Sequence, residues 1–143
     1  MLDEATCLRL LTEGVVGRLA FWSYDGPRLH PFNYAVLDGA VLVRAANGSG
    51  LARVAREQPG SPAAFGVDGL DFDDQQGWSV QVRGPLDELT DVAALDRLAR
   101  VRPPRPWAPG ERSVVVRLRW AQVTGRQLGT GWDAATVARP RRV

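Results

Sequence analysis

The chain contains no lysine, and it has a single cysteine and a single histidine among its 143 residues. One cysteine excludes an internal disulfide framework and fits a reducing cytoplasm. One histidine and one cysteine cannot build the usual zinc sites or a cysteine–histidine catalytic pair. We therefore predict no metal site, and the sequence identifies no catalytic side chain.

Long hydrophobic runs are also missing, since no apolar stretch approaches the roughly 20 residues that cross a membrane. The first seven residues, MLDEATC, are acidic rather than basic, so no signal peptide is indicated. The net charge is only +2, and no surface of interleaved basic and aromatic residues is indicated. We expect a cytoplasmic protein that binds neither membranes nor nucleic acids. A nucleic-acid binder, based on the arginine-rich end at 139–142, is the last of the alternatives.

Sequence motifs of common catalytic sites are absent as well. No serine lies in a G-x-S-x-G turn, and neither G-x-x-x-x-G-K-[ST] nor G-x-G-x-x-G occurs. The acidic cluster of Asp71, Asp73 and Asp74 is interpreted as a solvated loop, because no further acid follows at metal-ligand spacing. If the protein carries out chemistry, a bound cofactor is expected to supply the reactive group.

Alternating apolar residues and turn signals predict a mainly β protein. Asp25-Gly26 and Asp38-Gly39 mark two hairpins, and Gly84-Pro85 indicates a bulge or bend. Strands are predicted at 15–23, 28–37, 40–46, 62–70, 77–89 and 112–125, with helices at the N-terminus, at 49–58 and at 90–100. The hairpin-connected order favours an antiparallel barrel with short peripheral helices.

The sequence also predicts where the helices begin and end and where the domain ends. Asp3 and Thr90 are the expected N-caps of the first and third helices, and Gly14 is the expected end of the first. Residues 1–128 are predicted to form one domain, and 129–143 a loose tail.

One short stretch, RAANGSGLARV at 44–54, resembles a strand end, a turn of small residues and a helix start. Backbone N–H groups in such a turn commonly bind phosphate, usually together with a cation. A lysine is expected at position 50, but glycine stands there. The residues leave three interpretations open: a phosphate site, a phosphate site without its cation, or only a turn.

The order of several motifs resembles the pyridoxamine 5'-phosphate oxidase-like superfamily, in particular its small actinobacterial members. These motifs are P-x-N-Y at 31–34, G-W-S-V-x-V-x-G at 77–84 and P-W-A-P-G-E-R at 106–112. The resemblance extends from about residue 2 to 128. It implies a six-stranded antiparallel split β-barrel that forms a homodimer, with FMN at the dimer interface, or F420 in some relatives. It also implies hydride transfer to or from a small-molecule substrate.

The resemblance further implies a set of cofactor-binding residues. In that family, the second strand lies along the flavin ring, and the third strand and the helix after it surround the phosphate. The long strand of the partner chain also contributes. These residues are Phe32, Asn33 and Tyr34 at the ring, Arg44, Ala45, Asn47, Ser49, Gly50 and Leu51 at the phosphate, and Trp78 from the partner. Arg53 is expected to reach back toward the phosphate.

Two departures from the family pattern affect the expected phosphate site. Relatives often carry threonine at position 45 and lysine at position 50, whereas this chain has Ala45 and Gly50. We therefore expect weakened cofactor binding. An F420-dependent reductase, using Arg53 and Arg56, and a non-catalytic ligand-binding dimer with a degraded phosphate site are the alternatives. His30 is interpreted as a strand histidine at the rim of the groove.

Overall fold

A computed structural model describes residues 1–101 and 110–134 of the chain. The elements in chain order are α1 (Glu4–Glu13), β1 (Val16–Ser23), β2 (Gly26–Leu37), β3 (Ala40–Ala45), α2 (Gly50–Glu57), β4 (Ser61–Asp71), β5 (Gln76–Glu88), α3 (Val92–Val101), β6 (Val114–Arg119) and β7 (Gln122–Leu128). The first five predicted strands are confirmed to within two residues at each end. The start of the P-W-A-P-G-E-R motif and the end of the predicted tail lie outside the described residues.

Tight turns join β1 to β2 and β2 to β3, as the Asp-Gly signals predict. Asp38 and Gly39 have φ angles of 51° and 73°, the left-handed pair that a two-residue hairpin turn requires. The Asp38 carboxylate also accepts a hydrogen bond of 2.6 Å from Arg97 of α3. This contact attaches α3 to the β2–β3 hairpin.

Six strands close into an antiparallel barrel, which confirms the predicted fold class. β1 pairs with both β2 and β4, β3 pairs with β2 and β6, and β5 pairs with β4 and β6. The β4–β5 hairpin is the longest of these pairings and extends from Ser61 opposite Leu86 to Asp71 opposite Gln76. The seventh strand, β7, is added to the barrel through β5.

The prediction of one strand over 112–125 is wrong, because the chain there forms two strands with a break at Trp120 and Ala121. β6 pairs with the C-terminal end of β5, whereas β7 pairs with its N-terminal part. The chain must therefore shift along β5 between the two strands. Alternation alone does not reveal this shift, because apolar and polar residues alternate on both sides of it.

Gly84 lies where β5 changes from one of these neighbours to the other. Its pairing with β4 continues from Arg83 to Pro85 without an extra residue, so no bulge forms on that edge. On the other edge, a Cβ atom at position 84 would lie 1.8 Å from the carbonyl oxygen of Arg119. The close approach of the β6 backbone explains the glycine.

The helix caps are confirmed for α1 and corrected for α3. The Asp3 carboxylate accepts a hydrogen bond of 2.7 Å from the Thr6 N–H, which holds the pKa of Asp3 below its ordinary value. At α3 the Asp91 carboxylate accepts from the Ala94 N–H at 3.1 Å, so Asp91 and not Thr90 caps the helix. Threonine and aspartate can both cap a helix. The burial of Ala94 against the barrel sets where α3 begins, and this places Asp91 at the cap position.

Apolar side chains form two clusters, one on each side of the β3–β6 pair. The larger fills the barrel around Phe65 and is covered at one end by Leu10 and Leu11 of α1. The smaller packs Leu98 of α3 against the outer face of β3 and β6, including Val115. Within the described ranges, no helix combines the length and apolar character that a membrane crossing needs.

Candidate functional site

A pocket of about 520 Å³ lies between the β1–β2 hairpin, the end of β3 and the start of α2. Arg112, two residues before β6, also lines it. Small-molecule and cofactor sites commonly have volumes of about 300–1,000 Å³. The pocket therefore has the size of a cofactor site and joins elements that are distant in sequence.

One wall of the pocket is aromatic and is formed by β1 and β2. Phe21, His30 and Phe32 all line the pocket, because residues two apart in a strand, and residues opposite each other across a pair, share one face of the sheet. The His30 ring meets Phe21 edge-on at 5.7 Å between ring centroids and lies 6.4 Å from Phe32. This wall offers flat apolar surface to a ring-shaped ligand.

The start of α2 forms the polar end of the pocket. The Ser49 side chain caps the helix by accepting from the Ala52 N–H at 3.2 Å, and the Ser49 carbonyl accepts from the Arg53 N–H at 3.1 Å. The N–H groups of Gly50 and Leu51 donate no hydrogen bond within the described part of the chain. Unpaired N–H groups at the positive end of a helix favour an anion.

Charged side chains complete the lining at this end. Arg28 donates a hydrogen bond to Asp25, and both residues line the pocket. Arg112 contributes a second guanidinium, whose buried Nε has no hydrogen-bond partner among residues 1–101 and 110–134. The residues present thus fit an anionic group such as a phosphate, because the lining carries more positive than negative charge.

Five of the residues predicted to bind the cofactor line this pocket together. They are Phe32, Ala45, Ser49, Gly50 and Leu51. The Ser49 hydroxyl donates to the Ala46 carbonyl at 2.7 Å, so its only proton is already used. At position 50 an added Cβ would meet only the Ser23 hydroxyl oxygen, at 3.4 Å, which leaves room for a side chain.

Three other predicted residues are not part of the pocket lining. Tyr34 is buried, its hydroxyl donates to the Leu11 carbonyl, and its ring lies 4.7 Å from that of Phe65. Trp78 is 8% exposed and covers Gly69, which leaves little of its ring for a partner chain. Asn33 pairs with Val16 on β1. Their roles in cofactor binding remain predictions.

The side chain of Arg44 points away from the pocket, because side chains alternate between the two faces of a strand. Arg44 precedes Ala45, which lines the pocket, so the two side chains leave β3 on opposite faces. Arg44 pairs with Val115, which belongs to the cluster beneath α3. The structure therefore does not bring Arg44 to the pocket through β3.

The remaining predicted residues take part in contacts on the exposed side of α2. The Arg53 guanidinium donates to Glu57 at 3.2 Å and lies 4.2 Å from the centroid of the Tyr24 ring. The hydrogen bond from Tyr24 holds the pKa of Glu57 below its ordinary value, and the same bond raises the pKa of Tyr24. Asn47 accepts from Arg56. Arg53 therefore points along the helix rather than back toward its start.

The sequence analysis does not identify several residues that line the pocket. Phe21, Ser23 and Arg28 belong to predicted strands, and the alternation that predicts β1 and β2 also places them on one face. That signal was available once Phe32 was assigned to the pocket. Arg112 lies 62 positions after Gly50, and only closure of the barrel brings both to one pocket. Across the described ranges, no group of three or more metal-ligating side chains is found.

Comparison with known proteins gives consistent matches. The sequence model of the family described as pyridoxamine 5'-phosphate oxidase matches residues 3–127. An uncharacterized protein of Mycobacterium tuberculosis is 31% identical over 126 residues, or 87% of this chain and 82% of that protein. The solved FAD binding protein of Mycobacterium smegmatis has a TM-score of 0.71 at 29% identity, over 89% of this chain and 96% of that chain. An FAD-binding protein of Mesorhizobium loti has a TM-score of 0.67 at 26% identity, over 90% of this chain and 95% of that chain.

Proposed function

The chain belongs to the pyridoxamine 5'-phosphate oxidase family, and on that premise we propose that it binds a flavin in the pocket and oxidises or reduces a small molecule by hydride transfer. The observation that carries this proposal is the two-part character of the pocket. An aromatic wall, formed by Phe21, His30 and Phe32, lies in the same cavity as the anion-binding start of α2. A flavin mononucleotide has a matching pair of parts, a flat ring and a phosphate.

The protein's own contribution is to position this cofactor and to shield it. Phe21 and Phe32 offer apolar surface against which the ring packs and from which water is excluded. The N–H groups of Gly50 and Leu51, with the positive end of α2, hold the phosphate. A bound flavin supplies the hydride chemistry, so the site needs no acid or base of its own.

FMN is the flavin that the charges around the pocket favour over F420. F420 carries a long acidic tail, which would need cations such as Arg53 and Arg56. Both arginines are already paired: Arg53 lies 3.2 Å from Glu57, and Arg56 lies 2.8 Å from Glu88. Because their charges are balanced within the protein, the pocket favours a ligand with one phosphate at the start of α2 over a ligand with a long acidic tail.

The test is a visible absorbance spectrum of the purified protein, followed by titration of the flavin-free protein with FMN, FAD and F420. We expect a flavin spectrum or saturable binding of FMN, with weaker binding of F420. Tighter binding of FAD than of FMN would keep the flavin proposal and change the cofactor. Colourless protein that binds none of the three would contradict the redox function and support the non-catalytic dimer.

We also propose that the protein is a homodimer. Trp22 and Leu29, on the paired strands β1 and β2, are 64% and 59% exposed. Trp22 and Leu29 belong to the face of the two strands opposite to the one that lines the pocket. Large exposed apolar side chains grouped on one surface are typical of an interaction site, and a second copy of the chain would cover them next to the pocket.

Replacing Trp22 with glutamate should convert a dimer into a monomer. A charge buried in the interface, together with the loss of a tryptophan contact, should raise the dimer dissociation constant more than about 30-fold, equivalent to ~2 kcal/mol. Size-exclusion chromatography with light scattering measures the mass. Val92→Glu is the matched control, because Val92 is 70% exposed on α3 and should not alter the mass. A monomeric parent protein, or an unchanged dimer in Trp22→Glu, would contradict this proposal.

A further inference from the structure

Arg112 forms no ion pair with the described residues, although its side chain is partly buried in the pocket lining. All 16 aspartate and glutamate residues of the chain lie within 1–101 and 110–134, and no ion pair found there includes Arg112. Its buried Nε has no hydrogen-bond partner in the part of the chain that the structure describes. Burying a charged donor without a partner is costly, so this side chain needs a role beyond packing.

Other arginines close to the site are already neutralised. Arg28, which lines the pocket, is paired with Asp25. Arg53 and Arg56 on α2 are paired with glutamates and do not line the pocket. Of the pocket-lining arginines in the described part of the chain, Arg112 therefore carries the charge that is available to a ligand.

We propose that Arg112 is the cation that binds the cofactor phosphate, in place of the lysine that is missing at position 50. This inference rests on the proposed flavin function. Arg112 lines the same pocket as Gly50 and Leu51, whose N–H groups donate to no described residue. A guanidinium can donate two parallel hydrogen bonds to phosphate, which an ammonium cannot. The cation of the phosphate site is thus supplied by the segment before β6 and not by α2.

The experiment compares FMN with riboflavin, which has the same ring and no phosphate. Both are titrated, by quenching of flavin fluorescence, into the parent protein, Arg112→Met, Arg112→Lys and the control Arg119→Met, which removes an exposed arginine of β6. We expect FMN binding to weaken about 10- to 100-fold in Arg112→Met, with riboflavin binding unchanged. Arg112→Lys should recover part of the loss, and Arg119→Met should match the parent.

Thermal unfolding of the flavin-free proteins separates this role from a structural one. Arg112→Met removes an unpartnered buried donor, so its midpoint should equal or exceed that of the parent. A clear decrease would assign Arg112 to stability and overturn the inference. Unchanged FMN affinity in Arg112→Met, or equal affinity of the parent for FMN and riboflavin, would also overturn it and leave the flavin proposal intact. A parent protein that binds no flavin would instead refute the proposed function, and the inference with it.

Discussion

Replacing Gly50 with lysine should tighten FMN binding by about 10- to 100-fold, because it adds a charge-assisted contact with the phosphate to the one proposed for Arg112. Gly50 is the first residue of α2, lines the pocket and has no left-handed φ angle. An added Cβ meets only the Ser23 hydroxyl, at ordinary contact distance. A lysine side chain can therefore enter the pocket without displacing the backbone.

The dissociation constant for FMN, measured by fluorescence quenching, tests this expectation. Gly50→Met is the matched control, since it adds a side chain of similar length without a charge. Gly50→Lys should also restore much of the FMN affinity that Arg112→Met loses, because the two cations would serve one phosphate. If Gly50→Lys binds FMN no more tightly than Gly50→Met, the turn before α2 is not the phosphate site.

Replacing Phe65 with alanine should destabilise the protein by about 3–5 kcal/mol, the usual range for a fully buried phenylalanine. Phe65 is 0% exposed and contacts the Tyr34 ring at 4.7 Å between centroids. Its ring fills the space in front of Gly17, where an added Cβ would lie 2.2 Å from it. Because position 17 has no side chain to move into the gap, we expect a cavity to remain there in Phe65→Ala.

Equilibrium unfolding in urea at a fixed protein concentration measures this loss, since dimer formation would make stability depend on concentration. Phe72→Ala provides the control, because Phe72 is 83% exposed and should change the free energy of unfolding by less than about 0.5 kcal/mol. Equal effects of the two substitutions would show that Phe65 does not carry the packing assigned to it.

Most of the strands could be predicted from the sequence because their signals are local. Alternation over a few residues indicates a strand, and the Asp38-Gly39 pair indicates a two-residue turn. The errors arise where a local pattern permits two outcomes. Thr90 and Asp91 are both good caps, and 112–125 alternates across a break that only its pairing with β5 imposes.

The candidate site could be predicted only in part. The residues that are close together in sequence could be recognised, whereas those that are distant in sequence could not. The stretch at 44–54 contains a strand end, a capping serine and a helix start, so the local structure of the proposed phosphate site could be predicted. The alternation of Arg44 and Ala45 shows that the two residues cannot share a face, but not which of them lines the pocket. Deciding that requires knowing on which side α2 and the β1–β2 hairpin pack.

By itself the sequence determined the strands, the hairpins, the helix start at Ser49 and the absence of a lysine from the chain. Only the tertiary structure shows that Arg112 and Gly50 line one pocket and that Arg53 forms an ion pair with Glu57. Local conformation depends on residues a few positions apart, whereas the charge balance of a pocket depends on every residue that folding brings near it. An unpaired arginine can be recognised only when the positions of all the carboxylates are known.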